Sequence, residues 1–199
     1  MVDEEIAKML RKERVKARKL EEEARERKEE EELDLEEVKR QMKEGELKLY
    51  DREFSFEMRD LLKNRIRVIL PFDGIVEKKN LDEVYESMSD ELAFSSHFVL
   101  EEGAADFMEL DVYKKNMEKN LDGTGLSFKW NEEGAMMVNG VKLQYLDFVT
   151  TTGLGAVHNS MWFIYCKYGR LLCNINYDHK EKRYWKPIVS AMMQTIEVR

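Results

Sequence analysis

From Val138 to Arg199 the chain carries two hairpin signals followed by one amphipathic helix, an order that few folds accommodate. Asn139-Gly140, flanked by the apolar runs Ala135 to Val138 and Val141 to Thr151, is the strongest two-residue hairpin signal available, because both turn residues tolerate positive φ. A second hairpin turning at Gly169-Arg170, type II′ with glycine first, pairs Tyr168 with Leu171, Cys166 with Cys173, Ile164 with Ile175 and Trp162 with Tyr177. That register makes one face wholly apolar or aromatic. The opposite face carries Phe163, Tyr165, Asn174 and Asn176, a mixed surface of rings and amides. After a polar linker from Asp178 to Arg183, Pro187 is expected in the first turn of a helix. Trp185, Ile188, Val189, Met192 and Ile196 then form a stripe at i, i+3, i+4, i+7 and i+11. The stripe should pack on the sheet face bearing Trp162, Ile164, Cys166, Cys173 and Ile175.

Upstream, Arg65 to Phe72 alternates and stops at Pro71, and Ala93 to Leu100 reads as a second strand. Leu81 to Met88 is expected as a short helix. Leu110, Tyr113, Met117 and Leu121 recur at helical spacing and place a longer helix within Asp106 to Leu121, ended by the turn residues of Asn120 to Gly125. Leu126 to Trp130 is a further strand.

Residues 1–48 contain no Phe, Trp or Pro, whereas all nine Phe and all three Trp lie after residue 50. This shift divides the chain into a charged helical arm, 1–48, and an α+β body, 49–199, with Gly45 as a helix stop. The arm reads as one long α-helix with Glu-to-basic pairs such as Glu36 with Arg40. Its seams are short: Ala17, Leu20 and Ala24, then Leu35, Val38 and Met42. A long coiled coil needs apolar a and d positions sustained over three or four repeats, so these six residues mark instead a local interface for oligomerisation or docking. The charges come in blocks: residues 1–20 carry seven basic and four acidic side chains, and 21–37 carry three basic and eleven acidic, a pattern that an antiparallel partner helix could match.

The run VNGVKLQYLDFVTTT, then NSMWFIYCKYGRLLCNINY, then YWKPIVSAMMQTIEV resembles the C-terminal part of the PsbP-like superfamily. The shared pattern is an NG hairpin, a long strand, an N-x-x-W/F strand, a hairpin return and a closing helix with W-x-P and a methionine-rich face. The resemblance covers about Ile66 to Val198 and is strongest from Trp130 onward. It implies an α/β/α sandwich around an antiparallel sheet, no shared catalytic site, and protein binding of the kind known for a Ran-binding import factor and for chaperones of type VI secretion effectors. The charged arm is not part of that pattern.

The chemistry that remains is sparse. His97, His158 and His179 lack metal-ligand spacing, and Thr150 to Gly155 lacks the lysine of a phosphate loop, so neither metal nor cofactor is expected. Asp147, among Tyr145, Leu146 and Phe148, is the carboxylate whose burial could raise its pKa. Two cysteines, Cys166 and Cys173, fit packed thiols in a reducing compartment. The net charge of −8 argues against non-specific nucleic-acid binding, and no run reaches the roughly 18 apolar residues of a membrane span. The expectation is a non-enzymatic cytoplasmic binding module, adaptor or chaperone-like, whose partner is another protein met at Phe163, Tyr165, Asn174 and Asn176. Two alternatives stand beside it. One is a small-molecule site or enzyme using Asp147, Tyr145 or His158 between sheet and helix, and the other is a structural subunit of a larger assembly.

Overall fold

The computed structural model describes residues 11, 13–17, 33–104, 106–121, 123–153 and 155–199. It separates into two units, Met1–Asp34 and Leu35–Arg199. In the first, residues 13–17 are helical and exposed, with Val15 at 63%. Leu33 and Asp34 are not helical, so the single helix expected over the whole arm is corrected. A new helix, α1 (Leu35–Glu44), opens behind Asp34, and Asp34 with Glu37 makes the acid-x-x-Glu spacing that favours a helix start. Its ion pairs also differ from expectation. Glu36 pairs with Lys39, and Arg40 bridges Glu37 at 2.5 Å and Glu44 at 2.6 Å. α1 is part of the body, because Val38 and Met42 are buried to 2% and 1%. Gly45, at φ +99°, ends it as expected.

The chain then builds β1 (Glu46–Leu49), β2 (Arg52–Leu61), β3 (Ile66–Pro71), β4 (Val76–Asn80), β5 (Val84–Ser89), β6 (Phe94–Glu102), α2 (Leu110–Leu121), β7 (Ser127–Val138), β8 (Val141–Thr152), β9 (Gly155–Cys166), β10 (Gly169–Asp178), α3 (Lys182–Thr195) and β11 (Glu197–Val198). Among the described residues the strands form two antiparallel sheets, where sequence alone suggested one: β1-β2-β3-β11, and β4-β5-β6-β10-β9-β8-β7. This is an α+β fold with antiparallel sheets and few helices.

Strict alternation of burial along β5, β6 and β10 gives the larger sheet two distinct faces. The inner face carries Tyr85, Phe98, Trp162, Ile164, Cys173 and Ile175, all fully buried. α3 lies on this face as expected, and it is buried more widely than one stripe requires. Its Tyr184, Ala191, Met193 and Thr195 are buried along with Trp185, Ile188, Val189 and Met192, because α1 and β3 also pack on α3. Phe54 of β2 and Phe94 of β6 both meet the Trp185 ring, at 5.6 and 4.5 Å between centroids. Pro187 is the sixth residue of α3 and not in its first turn, so it removes one interior backbone bond.

Two sequence readings are corrected here. Leu81 to Met88 is not a helix: Val84–Ser89 is strand β5. Its inner face holds Ser87 and Ser89, which blur the apolar alternation, and Ser87 is satisfied by a 2.7 Å hydrogen bond to Ser96. The last hairpin turns at Lys167-Tyr168, two residues before the expected turn, so Leu171 opposes Ile164 and Cys173 opposes Trp162, a shift of four residues from the expected pairing. A slip by an even number of residues leaves every side chain on its own face. It does separate Cys166 from Cys173, and Cys166 is only half-buried. Gly169, at φ +134°, is required by neighbouring β6: a Cβ there would lie 2.2 Å from the Glu101 carbonyl oxygen. The Asn139-Gly140 turn is as expected, with φ of +47° and +83° and Val138 opposite Val141.

Candidate functional site

The outer face of the larger sheet is divided by α2. Over β7, β8 and β9 lies a second apolar layer, in which Leu146, Phe148, Met161 and Phe163 are buried beneath Met108, Leu110, Tyr113 and Met117. No residue of α2 is itself fully buried. A ring of three hydrogen bonds holds the segment that leads into it. The Tyr165 hydroxyl donates to Gln144 Oε1 at 2.6 Å and accepts from the Met108 N–H at 2.6 Å, and Gln144 Nε2 donates to the Met108 carbonyl at 3.0 Å. Tyr113 meets Phe163 edge-on at 5.2 Å, and Phe107 meets Tyr165 at 4.8 Å.

This layer corrects half of the expected binding face. Phe163, 1% exposed, is core, and Tyr165 is half-buried as a clip for α2. The signal that could have shown this is on the page of the sequence: the stripe Leu110, Tyr113 and Met117 needed an apolar floor, and Phe163 supplies it. Asn174 and Asn176 lie on the other half of the same face, with β5 and β6. There Val84, Glu86, Met88, Ser95, His97, Val99, Asn174 and Asn176 are all half-buried, interleaving apolar and polar side chains. His97 Nε2 is 3.2 Å from Glu86 Oε1, and Lys79 reaches the same oxygen at 3.7 Å. Asn176 Nδ2 donates to Ser95 Oγ at 3.3 Å, while the amide oxygens of Asn174 and Asn176 have no hydrogen-bond partner.

The inner face holds a polar corner. Asp147, opposite Ser160, shares this side of β8 and β9 with Tyr145, His158 and Trp162. Burial pushes the Asp147 carboxyl up to about 6, offset in part by a hydrogen bond from Ser160, and Glu132 adds to the rise while Lys186 opposes it. Trp162 Nε1 donates to Ser160 Oγ at 3.0 Å, and Asp147 Oδ1 has no hydrogen-bond partner. Burial also raises Tyr145, whose ring lies against Gly134. His158, 2% exposed, stacks on Tyr177 at 4.7 Å and on His179 at 5.9 Å. So the three residues of the small-molecule reading share one face, with His158 held in a ring stack. A cavity of about 480 Å³ lies elsewhere, lined by Arg40, Gln41, Glu44, Lys48, Glu53 and Phe54 among others. Among the described residues no cluster of His, Cys, Asp and Glu could hold a metal ion, and no helix is long and apolar enough to cross a membrane.

The six expected arm-interface residues fall on both units. Val38 and Met42 are spent on the body core, Leu35 is half-buried, and Ala17 is exposed; Leu20 and Ala24 lie outside the described residues.

No family model matches this chain, and no curated protein matches it. Solved structures do. The solution structure of cyanobacterial PsbP (CyanoP) from Synechocystis sp. PCC 6803 is 10% identical, covers 77% of this chain and 98% of its own, and superposes with a TM-score of 0.58. Protein PA94 of Pseudomonas aeruginosa, described as a putative regulator of unknown function, is 15% identical over 72% of this chain and 97% of its own, TM-score 0.43. Immunity protein TplEi of the P. aeruginosa T6SS, complexed with "L" peptide, is 14% identical over 58% of this chain and 48% of its own, TM-score 0.43. The CyanoP superposition shows that the fold is PsbP-like, as the C-terminal motifs implied.

Proposed function

We propose that this PsbP-like body is a non-enzymatic protein-binding module, adaptor or chaperone-like, whose contact surface is the half of the outer sheet face that α2 leaves uncovered. The observation that carries this reading is the mixed surface of β5, β6 and β10. Val84, Met88 and Val99 offer apolar contact there, and the part-exposed side chains of Glu86 and His97 offer hydrogen bonds between them. Interfaces combine the two in this way, with an apolar centre and polar groups that set register. The charged residues 1–34 add a second docking element, oligomerising or partner-binding, through their alternating charge blocks. The setting we propose is cytoplasmic, in keeping with the free thiols Cys166 and Cys173.

The test is comparative. Full-length protein, a Val99→Lys/Asn174→Lys variant and a Lys119→Glu control on α2 are immobilised, and the proteins retained from cell extract are quantified by mass spectrometry. A partner retained by the parent and the control but reduced at least tenfold on the double variant is the expected result. Equal retention on all three overturns the assignment.

A second reading rests on Asp147, a half-buried carboxylate raised to about 6 with one oxygen unpartnered. In that reading it exchanges a proton with a small molecule beside Tyr145. An Asp147→Asn variant that keeps partner retention unchanged argues against a role for this corner in protein binding.

A further inference from the structure

The larger sheet has two open edges, β4 and β7, and they are built differently. An exposed strand edge offers unpaired N–H and C=O groups to any other chain, and proteins blunt it with charge and bulges. β4 is blunted throughout: Glu77, Lys78 and Lys79 occupy the centre of its five residues, with a break in register between Glu77 and Lys79. The N-terminal half of β7 is blunted in the same way. It has Lys129, Glu132 and Glu133, and its register breaks between Trp130 and Glu132. Those two glutamates are also neutralised at home, Glu132 by Lys186 at 3.0 Å and Glu133 by Lys114 at 2.5 Å.

The remaining segment, Gly134 to Val138 (GAMMV), has none of these devices. It carries no charge and no proline, its register is regular up to the turn, and Met137 is 63% exposed. The direction of its free groups follows from the turn. In a two-residue hairpin the flanking pair, here Val138 and Val141, exchanges both hydrogen bonds, and the pattern alternates along the strand. Val138, Met136 and Gly134 therefore point their backbone groups at β8, and Met137 and Ala135 point theirs outward.

The geometry points to a second copy of this chain pairing antiparallel on Gly134 to Val138 of β7, about a two-fold axis at Met136. In that register Ala135 faces Met137 of the other copy and exchanges both outward hydrogen bonds with it, twice over by symmetry. Met136 faces its own equivalent on the inner side, and Gly134 faces Val138. Glu133 falls opposite Asn139 and Glu132 opposite Gly140, so no like charges meet. Such a contact is self-complementary, as a two-fold interface must be, and it joins the two seven-stranded sheets into one. It is independent of the partner-binding face proposed above, which lies on the far side of the same sheet's strand order, at β5, β6 and β10.

The test is the solution mass of the full-length protein by sedimentation equilibrium, from low micromolar to about 100 µM, for four proteins. The parent is expected at twice the 23.7 kDa chain mass at the upper end. Ala135→Pro removes an outward N–H without touching the β7–β8 ladder, and Met137→Lys puts a charge into the dry seam at an exposed site. Each is expected at the single-chain mass, with dissociation constants at least tenfold weaker. Val76→Lys on β4 is expected to keep the parental mass. Circular dichroism and melting temperature establish that each variant is folded, and if Ala135→Pro is not, Met137→Lys decides. A parent that stays at the single-chain mass throughout, or a folded variant at 135 or 137 that keeps the doubled mass, overturns the proposal.

Discussion

Asp147 and Gly169 show what single residues contribute to this fold. Asp147 pairs across to Ser160 in the polar corner of the inner face, and burial there holds its folded pKa at about 6, above the ordinary 3.8. A raised carboxyl pKa means that the unfolded chain releases its proton first as pH rises. The stability is thus fully present below about pH 4 and is lost progressively up to about pH 6, by at most ~3 kcal/mol. Asp147→Asn, which keeps an acceptor for Ser160, is expected to melt several degrees above the parent at pH 7.5 and with the parent at pH 4. Urea titrations across that range check it, and parallel pH profiles for the two proteins would contradict it. Gly169→Ala is expected to cost about 3 kcal/mol or more, because φ of +134° and a 2.2 Å approach to the Glu101 carbonyl oxygen leave no room for a methyl group. A drop in melting temperature of less than 3 °C would show that β6 can yield. The environment of Asp147 was not legible in its apolar neighbours Leu146 and Phe148, which point to the other face of β8; its own face is shared with Tyr145, Ser160 and Trp162, which only the strand pairing brings together. Nor was the reason for Gly169, since its constraint comes from β6, a strand remote in sequence, and the local pattern suggested a turn residue instead.

At the scale of elements, local chemistry read well where both faces of an element were uniform. The Asn139-Gly140 hairpin and the apolar stripe of α3 were legible because each rests on turn residues or periodicity within the segment itself. β5 was not, because its inward positions include Ser87, hydrogen-bonded to Ser96 of β6, and Ser89, which accepts from the Leu92 N–H, and so read as a polar stretch. The candidate face was half legible for a related reason: which outward residues stay outward depends on where α2 docks, and α2 covers Phe163 but not Asn174. The start of the body shifted likewise. Composition placed it near residue 48, whereas burial of Val38 and Met42 brings α1 into the body. A chain beginning at Asp34 is therefore expected to melt within about 2 °C of the parent. One beginning at Glu46 uncovers the surface under Val38 and Met42, at about 2–3 kcal/mol for each side chain lost, which predicts a melting temperature at least 10 °C lower. Differential scanning calorimetry of both distinguishes the two boundaries, and equal melting temperatures would return α1 to the arm.

For the whole molecule, one sheet serves three purposes by position: its inner face builds the core with α3, one half of its outer face holds α2, and the other half stays open. The open half is the proposed protein-binding surface, and a photo-crosslinking amino acid tests that placement directly. Incorporated at Asn174 in the full-length protein inside cells, it is expected to give a discrete higher-mass adduct with another protein, while the same group at Lys119 on α2 gives none. Absence of any adduct at Asn174, or the same adduct at both positions, would contradict the assignment of the β5, β6 and β10 face as the protein-binding surface.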